Sequence, residues 1–361
     1  MKIRIAIILP YFQTGGAEKM AAMIASNLDL TRFIVTVICV NGKQQNTTCE
    51  ETIYSRGIPI FYINKGLGFS FTAVCKLWAL LNQVKPDIVH THLAACLYTA
   101  PWILFHPVMM IHTIHTIPQY EGIIYRRIIL FFLFQMNKAV PIALSQKNKT
   151  MISRYFRISE QKIEIIHNPV EINKFQLGKR NTLDQKKIRF INVGRLTKQK
   201  NQKFLLNVFK KLHDQFPDVS LLVVGEGPER ENLEKFVSQS NLDADVVFTG
   251  NVENIEDYLT TADIFVLTSI CEGLPLSMIE AMASGLPIIA SDVGGISDIV
   301  KENGILVPSN DEKALWNAMT LLISNSIERE KMGMNSKTIS NRFDISVIIK
   351  EYEKIFQKYA K

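Results

Sequence analysis

This sequence has no apolar run long enough to cross a bilayer. Its most hydrophobic stretch, 122–134 (GIIYRRIILFFLF), is interrupted by Arg126 and Arg127 and falls well short of the ~20 residues that a spanning helix needs. The apolar part of MKIRIAIILPYF at the start of the chain is too short for a signal peptide and reads as a first strand. Cysteine is sparse: Cys39, Cys49, Cys75, Cys96 and Cys271 make five, with no C-x-x-C spacing. An odd, scattered set argues against both a disulfide framework and a zinc site, and it suits a reducing cytosol. No basic-aromatic recognition motif is present, which argues against nucleic acid as a partner. No two histidines stand i, i+4 apart, as a helical metal site would require.

The composition that remains is globular, 47% hydrophobic and 21% charged over 361 residues, enough chain for two domains. The net charge of +7 is unevenly placed: residues 1–170 hold 17 Lys and Arg against 8 Asp and Glu, and residues 171–361 hold 24 against 26. The basicity therefore belongs to one half and its partner, and an anionic membrane surface is a better candidate than nucleic acid. Segment 122–134 reads in two ways. It is either a buried helix covering a sheet, or an interfacial helix that rests the basic half on anionic lipid.

Along the chain the same rhythm runs twice. KIRIAIIL (2–9) predicts a strand, followed by the loop PYFQTGGAEKM and a helix to about Asn27. Strands follow at 33–40, 58–63, 87–92, 108–114, 139–144 and 162–167, most of them separated by helix-like segments. Near-continuous Ile, Val and Leu means that both strand faces are buried, as in a parallel sheet covered by helices. A polar stretch from Asn173 to Lys187 reads as a linker. The rhythm restarts at 188–193, 219–224, 245–250, 263–268, 286–291 and 304–308. Two such sets predict two doubly wound α/β domains across a cleft, with chemistry in the loops after the strands. Segment 344–361 is an amphipathic helix with Val347, Ile348, Tyr352, Ile355, Phe356 and Tyr359 as its apolar side.

Several of those loops carry suitable chemistry. In CEGLPLSMIEAMASGLPIIASDVGG (271–295), Glu272 lies in a Gly-Pro turn before a short helix and Glu280 lies within it. Pro275 suits the first turn of that helix and Gly285 the position just past its end. The helix start offers free N–H groups to an anion, and the two carboxylates offer acceptors to sugar hydroxyls. The plain alternative is a strand–turn–helix with two solvated glutamates. Gly15 and Gly16, between the first strand and helix, bring backbone N–H groups close to a phosphate or a sugar, or form a simple tight turn. After strand 188–193, Arg195 offers a planar fork of donors and Lys200 a point charge, a pair suited to a diphosphate, while Lys198 and Lys203 read as solvated. Gly225 and Gly227 tempt a dinucleotide reading, which fails because Arg230 stands in place of the third glycine. Asp243 and Asp245 imitate a metal-binding Asp-x-Asp but fall at the wrong end of a strand, so they read as a solvated turn. His90 and His92 share one strand face. His112 and His115 share a direction only if their strand ends between them. His106, His167 and His213 read as structural.

Glu272 and Glu280, with seven residues between them inside EGLPLSMIEAMASGLPIIASDVGG, closely resemble the signature of the family-4 retaining glycosyltransferases. That resemblance implies the GT-B fold: two facing Rossmann-like doubly wound parallel-sheet domains with a C-terminal helix crossing back. Residues 1–170, with helix 344–361, would bind the acceptor, and 171–343 the nucleotide-sugar donor. The family places the first glutamate (Glu272) near the transferred sugar and the second (Glu280) on the ribose. Arg195 and Lys200 match its diphosphate clamp, although Asn201 stands where the family has Gly, and Gly15–Gly16 match its loop against the donor. The backbone at Gly273 and Leu274 would orient the sugar. His115 falls on the family's reaction-centre histidine, with His92 as an acceptor-side group.

The resemblance implies retention of anomeric configuration, which no carboxylate pair in the sequence independently supports. It also implies a nucleotide-diphosphate sugar donor, UDP-linked in preference to GDP-linked, with no cofactor and no divalent metal. The acceptor would be a glycan, often lipid-linked at the inner face of the membrane, in cell-surface polysaccharide synthesis. The enzyme is accordingly expected to be cytoplasmic and peripheral to the membrane. A sugar-nucleotide epimerase or a glycan phosphorylase would share the fold. A non-catalytic nucleotide-sugar-binding protein would also use two lobes, but Glu272, Arg195, Lys200, Glu280 and His115 are all intact.

Overall fold

The computed structural model describes residues 2–12, 15–43, 47–66, 68–120, 122–176 and 187–360. The chain divides into one unit of Met1–Pro169 with Ile345–Lys361 and a second of Val170–Asp344. In the first unit the strands are β1 (Ile3–Leu9), β2 (Phe33–Asn41), β3 (Ile60–Lys65), β4 (Ile88–His92), β5 (Met109–Thr113), β6 (Ala139–Ala143) and β7 (Glu164–Ile165). All their pairings are parallel, in the order β3-β2-β1-β4-β5-β6-β7. Parallel pairing demands crossovers, and the crossovers lay helices over the sheet. These helices are α1 (Gly16–Asn27), α2 (Thr48–Ser55), α3 (Phe71–Val84), α4 (Ala95–Phe105), α5 (Ile124–Gln135) and α6 (Gln146–Phe156). Ile5, Ile7, Ile8, Ile88, Val89, Met110 and Ile111 are fully enclosed between the layers, which is why these strands read as apolar runs. β7 is only two residues long, pairing with β6 at Glu164 and Ile165 alone, although Ile163 and Ile166 on either side are also buried.

The second unit has β8 (Ile188–Val193), β9 (Val219–Val224), β10 (Val246–Gly250), β11 (Ile264–Leu267), β12 (Ile288–Ser291) and β13 (Gly304–Val307), again all parallel, in the order β10-β9-β8-β11-β12-β13. Its helices are α7 (Ile172–Gln176), α8 (Gln202–Gln215), α9 (Arg230–Gln239), α10 (Ile255–Leu259), α11 (Leu276–Ala283), α12 (Ile296–Ile299), α13 (Glu312–Ser324) and α14 (Ser326–Ser340). α7 occupies the start of the stretch read as a linker, because Ile172 and Phe175 find apolar cover. The rest of that stretch, 177–186, lies outside the described residues.

The last helix, α15 (Ile345–Tyr359), belongs to the first unit. It buries Ile348, Ile349, Tyr352, Ile355 and Phe356, each such burial contributing about 1.5–3 kcal/mol. Phe356 meets Phe33 edge-on with centroids 6.4 Å apart, and Arg32 pairs with Glu353 at 3.0 Å. Val347 is 43% exposed and so stands off the apolar face assigned to it from sequence, while Ile349 turns inward instead.

Candidate active site

In each sheet the strand order reverses at one place, between β1 and β4 and between β8 and β11. A reversal sends the two adjoining loops to opposite sides and opens a crevice at the carboxyl ends of the strands. In the second unit the loops at that crevice are the one after β8, carrying Arg195 and Lys200, and the one after β11, carrying Glu272. Lys200 Nζ pairs with Glu272 Oε1 across the reversal at 2.5 Å, and the Ser269 hydroxyl donates to the same oxygen at 2.6 Å. Backbone bonds tie the two loops together: Ile270 N donates to Gln199 O at 2.8 Å, and Gln199 Nε2 donates to Cys271 O at 2.9 Å. Glu272 is nearly enclosed and Lys200 half-buried, whereas Arg195 is exposed. Among the described residues the Arg195 guanidinium takes no partner, so its fork of donors is open. Asn201, standing where the resembled family has Gly, adopts φ 56° and ψ 38°. Asn tolerates this left-handed region, so the loop keeps the course that glycine would allow.

Two glycine turns hold these loops in place. Gly225 has φ +133°, and a Cβ there would lie 2.2 Å from Gly194 O; one on Gly227 would lie 2.2 Å from Leu196 O. Gly194 N donates to Val224 O at 3.0 Å and Leu196 N to Glu226 O at 2.9 Å. The failed dinucleotide fingerprint is thus a buttress, whose missing side chains let one loop lie directly on the backbone that presents Arg195. Gly294 does the same for the acidic loop. With φ +54°, its Cβ would fall 1.7 Å from Glu272 O, and the adjacent Gly295 N donates to Gly273 O at 2.9 Å. Ser269, Gln199 and the buttressing role of Gly225 and Gly227 were not singled out from sequence. The only sequence signal for them was a glycine pair directly after a strand.

Pro275 sits at the cap of α11 rather than in its first turn, and Gly285 follows the helix with φ +79°. The Ser277 hydroxyl donates to Val193 O at 3.0 Å, which pins the start of α11 to the end of β8. Glu280 lies within α11 and is buried with Gly273 and Leu274.

In the first unit, Gly15 caps α1 and Gly16 begins it. A Cβ on Gly15 would lie 2.3 Å from Glu18 Oε2, so this turn carries a nearly buried carboxylate that the sequence did not point to. Across the β1/β4 reversal, His92 is the last residue of β4 and is fully enclosed. Its Nδ1 lies 2.9 Å from Nε2 of His115, which follows the end of β5 at Thr113. His90 and His92 do share a face, with rings 4.2 Å apart. His112, on the opposite face, lies 2.8 Å from the Thr91 hydroxyl and is buried. Burial pushes the His90 imidazole down to about 3, and it holds His92 well below the ordinary range; neighbouring imidazoles add to both. A ring as enclosed as His92 offers no exposed atom to a bound molecule.

Asp245 is buried and paired with Lys187 and with His213 at 2.9 Å; Asp243 accepts from the Ser238 hydroxyl at 2.5 Å. Asp245 is therefore an ion-pair anchor at the amino end of β10, not the solvated turn residue expected from sequence. Among the described residues no group of three or more His, Cys, Asp or Glu side chains gathers as metal ligands would. Lys203 reaches over the Phe236 ring at 3.2 Å. His106 stacks on Trp102 and His167 bonds Leu144 O.

The profile described as Glycosyltransferase Family 4 matches residues 14–174, and the one described as Glycosyl transferases group 1 matches residues 173–339. The chain belongs to the family-4 glycosyltransferases. Its two parallel-sheet units are those of the GT-B fold. Among curated relatives of this family, an uncharacterized glycosyltransferase of Methanocaldococcus jannaschii is 30% identical over 60% of this chain and 58% of its own. The UDP-Gal:alpha-D-GlcNAc-diphosphoundecaprenol alpha-1,3-galactosyltransferase of Escherichia coli is 25% identical over 99% of this chain and 97% of its own. Among solved structures, Anabaena HepE in complex with UDP and glucose superposes with a TM-score of 0.84 at 20% identity, covering 98% of this chain and 99% of HepE. At that identity the likeness concerns the fold.

Proposed function

We propose that this glycosyltransferase moves a sugar from a UDP-sugar to a lipid-linked glycan in bacterial cell-surface polysaccharide synthesis, with retention of configuration and no divalent metal. The observation that carries the reading is the pairing of an open Arg195 with the Lys200–Glu272 ion pair across the β8/β11 reversal. A diphosphate at that place meets a guanidinium fork and an ammonium, and they neutralise the charge that builds on the departing group as a metal would elsewhere. Lys200 and Ser269 both bind Oε1 of Glu272, which leaves Oε2 for a sugar hydroxyl. Glu280 holds the ribose, and the backbone at Gly273–Leu274 orients the sugar. On the other unit, the Glu18 carboxylate occupies the positive end of α1. The missing side chain of Gly15 makes room for that carboxylate, which suits the turn to sugar hydroxyls rather than to phosphate, and His115 of the same unit serves the reaction centre. The named activity of the E. coli relative supports the lipid-linked acceptor, and the UDP complex of HepE supports the nucleotide.

The anionic membrane surface enters through α5. No helix of the described residues is long and apolar enough to cross a membrane. Yet Ile124, Ile128, Phe132 and Met136, four residues apart, are 49%, 45%, 58% and 55% exposed, beside Tyr125 at 69%. A four-residue spacing puts them on one side of the helix, and the unit that bears them is the basic one. Arg126 is buried and Arg127 donates to Gln119 O at 2.9 Å, so these two arginines serve packing within the unit.

The test is purified protein against a panel of nucleotide sugars, with and without polyprenyl-diphosphate-linked acceptors, read by released nucleotide. UDP release that requires acceptor and survives chelator supports the proposal. Loss of transfer on chelation, with recovery in magnesium or manganese, removes metal independence. Turnover of the donor without any acceptor points to an epimerase instead.

A further inference from the structure

His92 is enclosed on all sides, yet it is bonded to the histidine read as facing the substrates. We infer that His92 is a positioning residue that sets the tautomer of His115, holding the His115 proton on Nδ1. This rests on the reading of His115 as part of the reaction centre.

His92 Nδ1 and His115 Nε2 are 2.9 Å apart, so a single proton lies between them. If that proton belonged to His115, neutral His92 would carry its own on Nε2. That atom is enclosed and makes no hydrogen bond, and a buried N–H without an acceptor is the rarer and costlier defect. With the proton on His92 Nδ1, the enclosed Nε2 is only an unused lone pair. Nε2 of His115 then accepts, and a neutral His115 must carry its proton on Nδ1. Desolvation disfavours the imidazolium, so His92 stays neutral and the count holds.

The surroundings keep His92 from turning. His90 packs on it with ring centroids 4.2 Å apart and is itself bonded to the Thr113 hydroxyl at 2.9 Å. Behind His90 stand Tyr352 and Phe356 of α15, at 5.5 and 5.6 Å. The C-terminal helix thus braces a row of rings that ends at His115. A histidine whose tautomer is set in this way carries its N–H on a fixed ring atom.

The tautomer is measurable without any ligand, by long-range proton–nitrogen correlation on the full chain labelled at histidine, with His115→Gln identifying the signal. The expected spectrum shows a pyrrole-like Nδ1 and a pyridine-like Nε2 for His115, the Nδ1–H form prevailing about tenfold, as one buried hydrogen bond allows. A pyrrole-like Nε2 in the unaltered protein would overturn the assignment, and that measurement needs no substitution at a buried site. His92→Asn keeps an amide N–H near the Nδ1 position and should retain the preference; His92→Leu should lose it. The same His115 spectrum in both variants would also overturn it. Full transfer activity in His115→Ala is a different failure, which removes His115 from the reaction centre and leaves its tautomer as assigned.

Discussion

Glu272 and Glu280 stand eight positions apart on opposite sides of a helix start, in different surroundings, and the roles proposed for them differ accordingly. Glu272 is held at one oxygen by Lys200 and Ser269 at the strand reversal, while Glu280 lies within α11. A ribose contact is the same in ground and transition states, so Glu280→Gln should raise the donor KM with little change in kcat. Glu272→Gln should lower kcat, because it releases the Lys200 ammonium as well as the sugar. Steady-state kinetics on the two variants decides this, and identical defects would refute the division of roles. What the sequence disclosed at this scale was residue type and loop, not depth. His92 was readable as a strand-end histidine on the same face as His90, but not as an enclosed ring. Asp245 was placed at the correct end of its strand, yet its burial depends on Lys187 and His213, which lie 58 and 32 residues away in the chain.

Strands were the most legible elements, because enclosure on both faces leaves an apolar run that needs no periodicity to be seen. β8 and β9 begin and end where the apolar runs do; β7 shrank because pairing ended before hydrophobicity did. The β4–β5 pair carries a prediction of its own. His90 is neutral in the folded chain, lowered to about 3 by burial, and His92 is also lowered. The unfolded chain takes up these protons near pH ~6.5 and the folded chain does not. Stability is therefore full above that pH and is lost progressively as pH falls from about 6.5 towards 3. The slope is about 1.4 kcal/mol per pH unit for each such histidine. Urea unfolding between pH 7.5 and 5 should show it, and His90→Gln should be shallower; equal slopes would contradict it. α5 carries another prediction. Ile128→Asp with Phe132→Asp alters only exposed positions, so unfolding should be unchanged while sedimentation with anionic vesicles falls. Binding by the unaltered protein should weaken with salt, since screening acts within ~8–10 Å. No binding to anionic vesicles at low salt would leave the α5 stripe without a membrane role.

At the scale of the whole molecule, the repeated strand–helix rhythm disclosed two doubly wound units, whereas the polar stretch read as a linker, 173–187, falls inside the second unit, which begins at Val170. The charge imbalance was legible too, 17 basic against 8 acidic residues in 1–170. The strand order was not, since it is set by which edges the crossovers reach, and the reversals that place the site follow from it. The central claim is that the β8/β11 reversal of the second unit binds a nucleotide diphosphate through Arg195 and Lys200. Calorimetric titration with UDP and with UMP tests it most directly. A charge-assisted hydrogen bond contributes on the order of 1.5–3 kcal/mol. UDP should therefore bind at least ~10-fold more tightly than UMP, and Arg195→Ala or Lys200→Ala should erase most of that difference while UMP affinity holds. Equal affinities for UDP and UMP, or a UDP affinity untouched in both variants, would contradict the account.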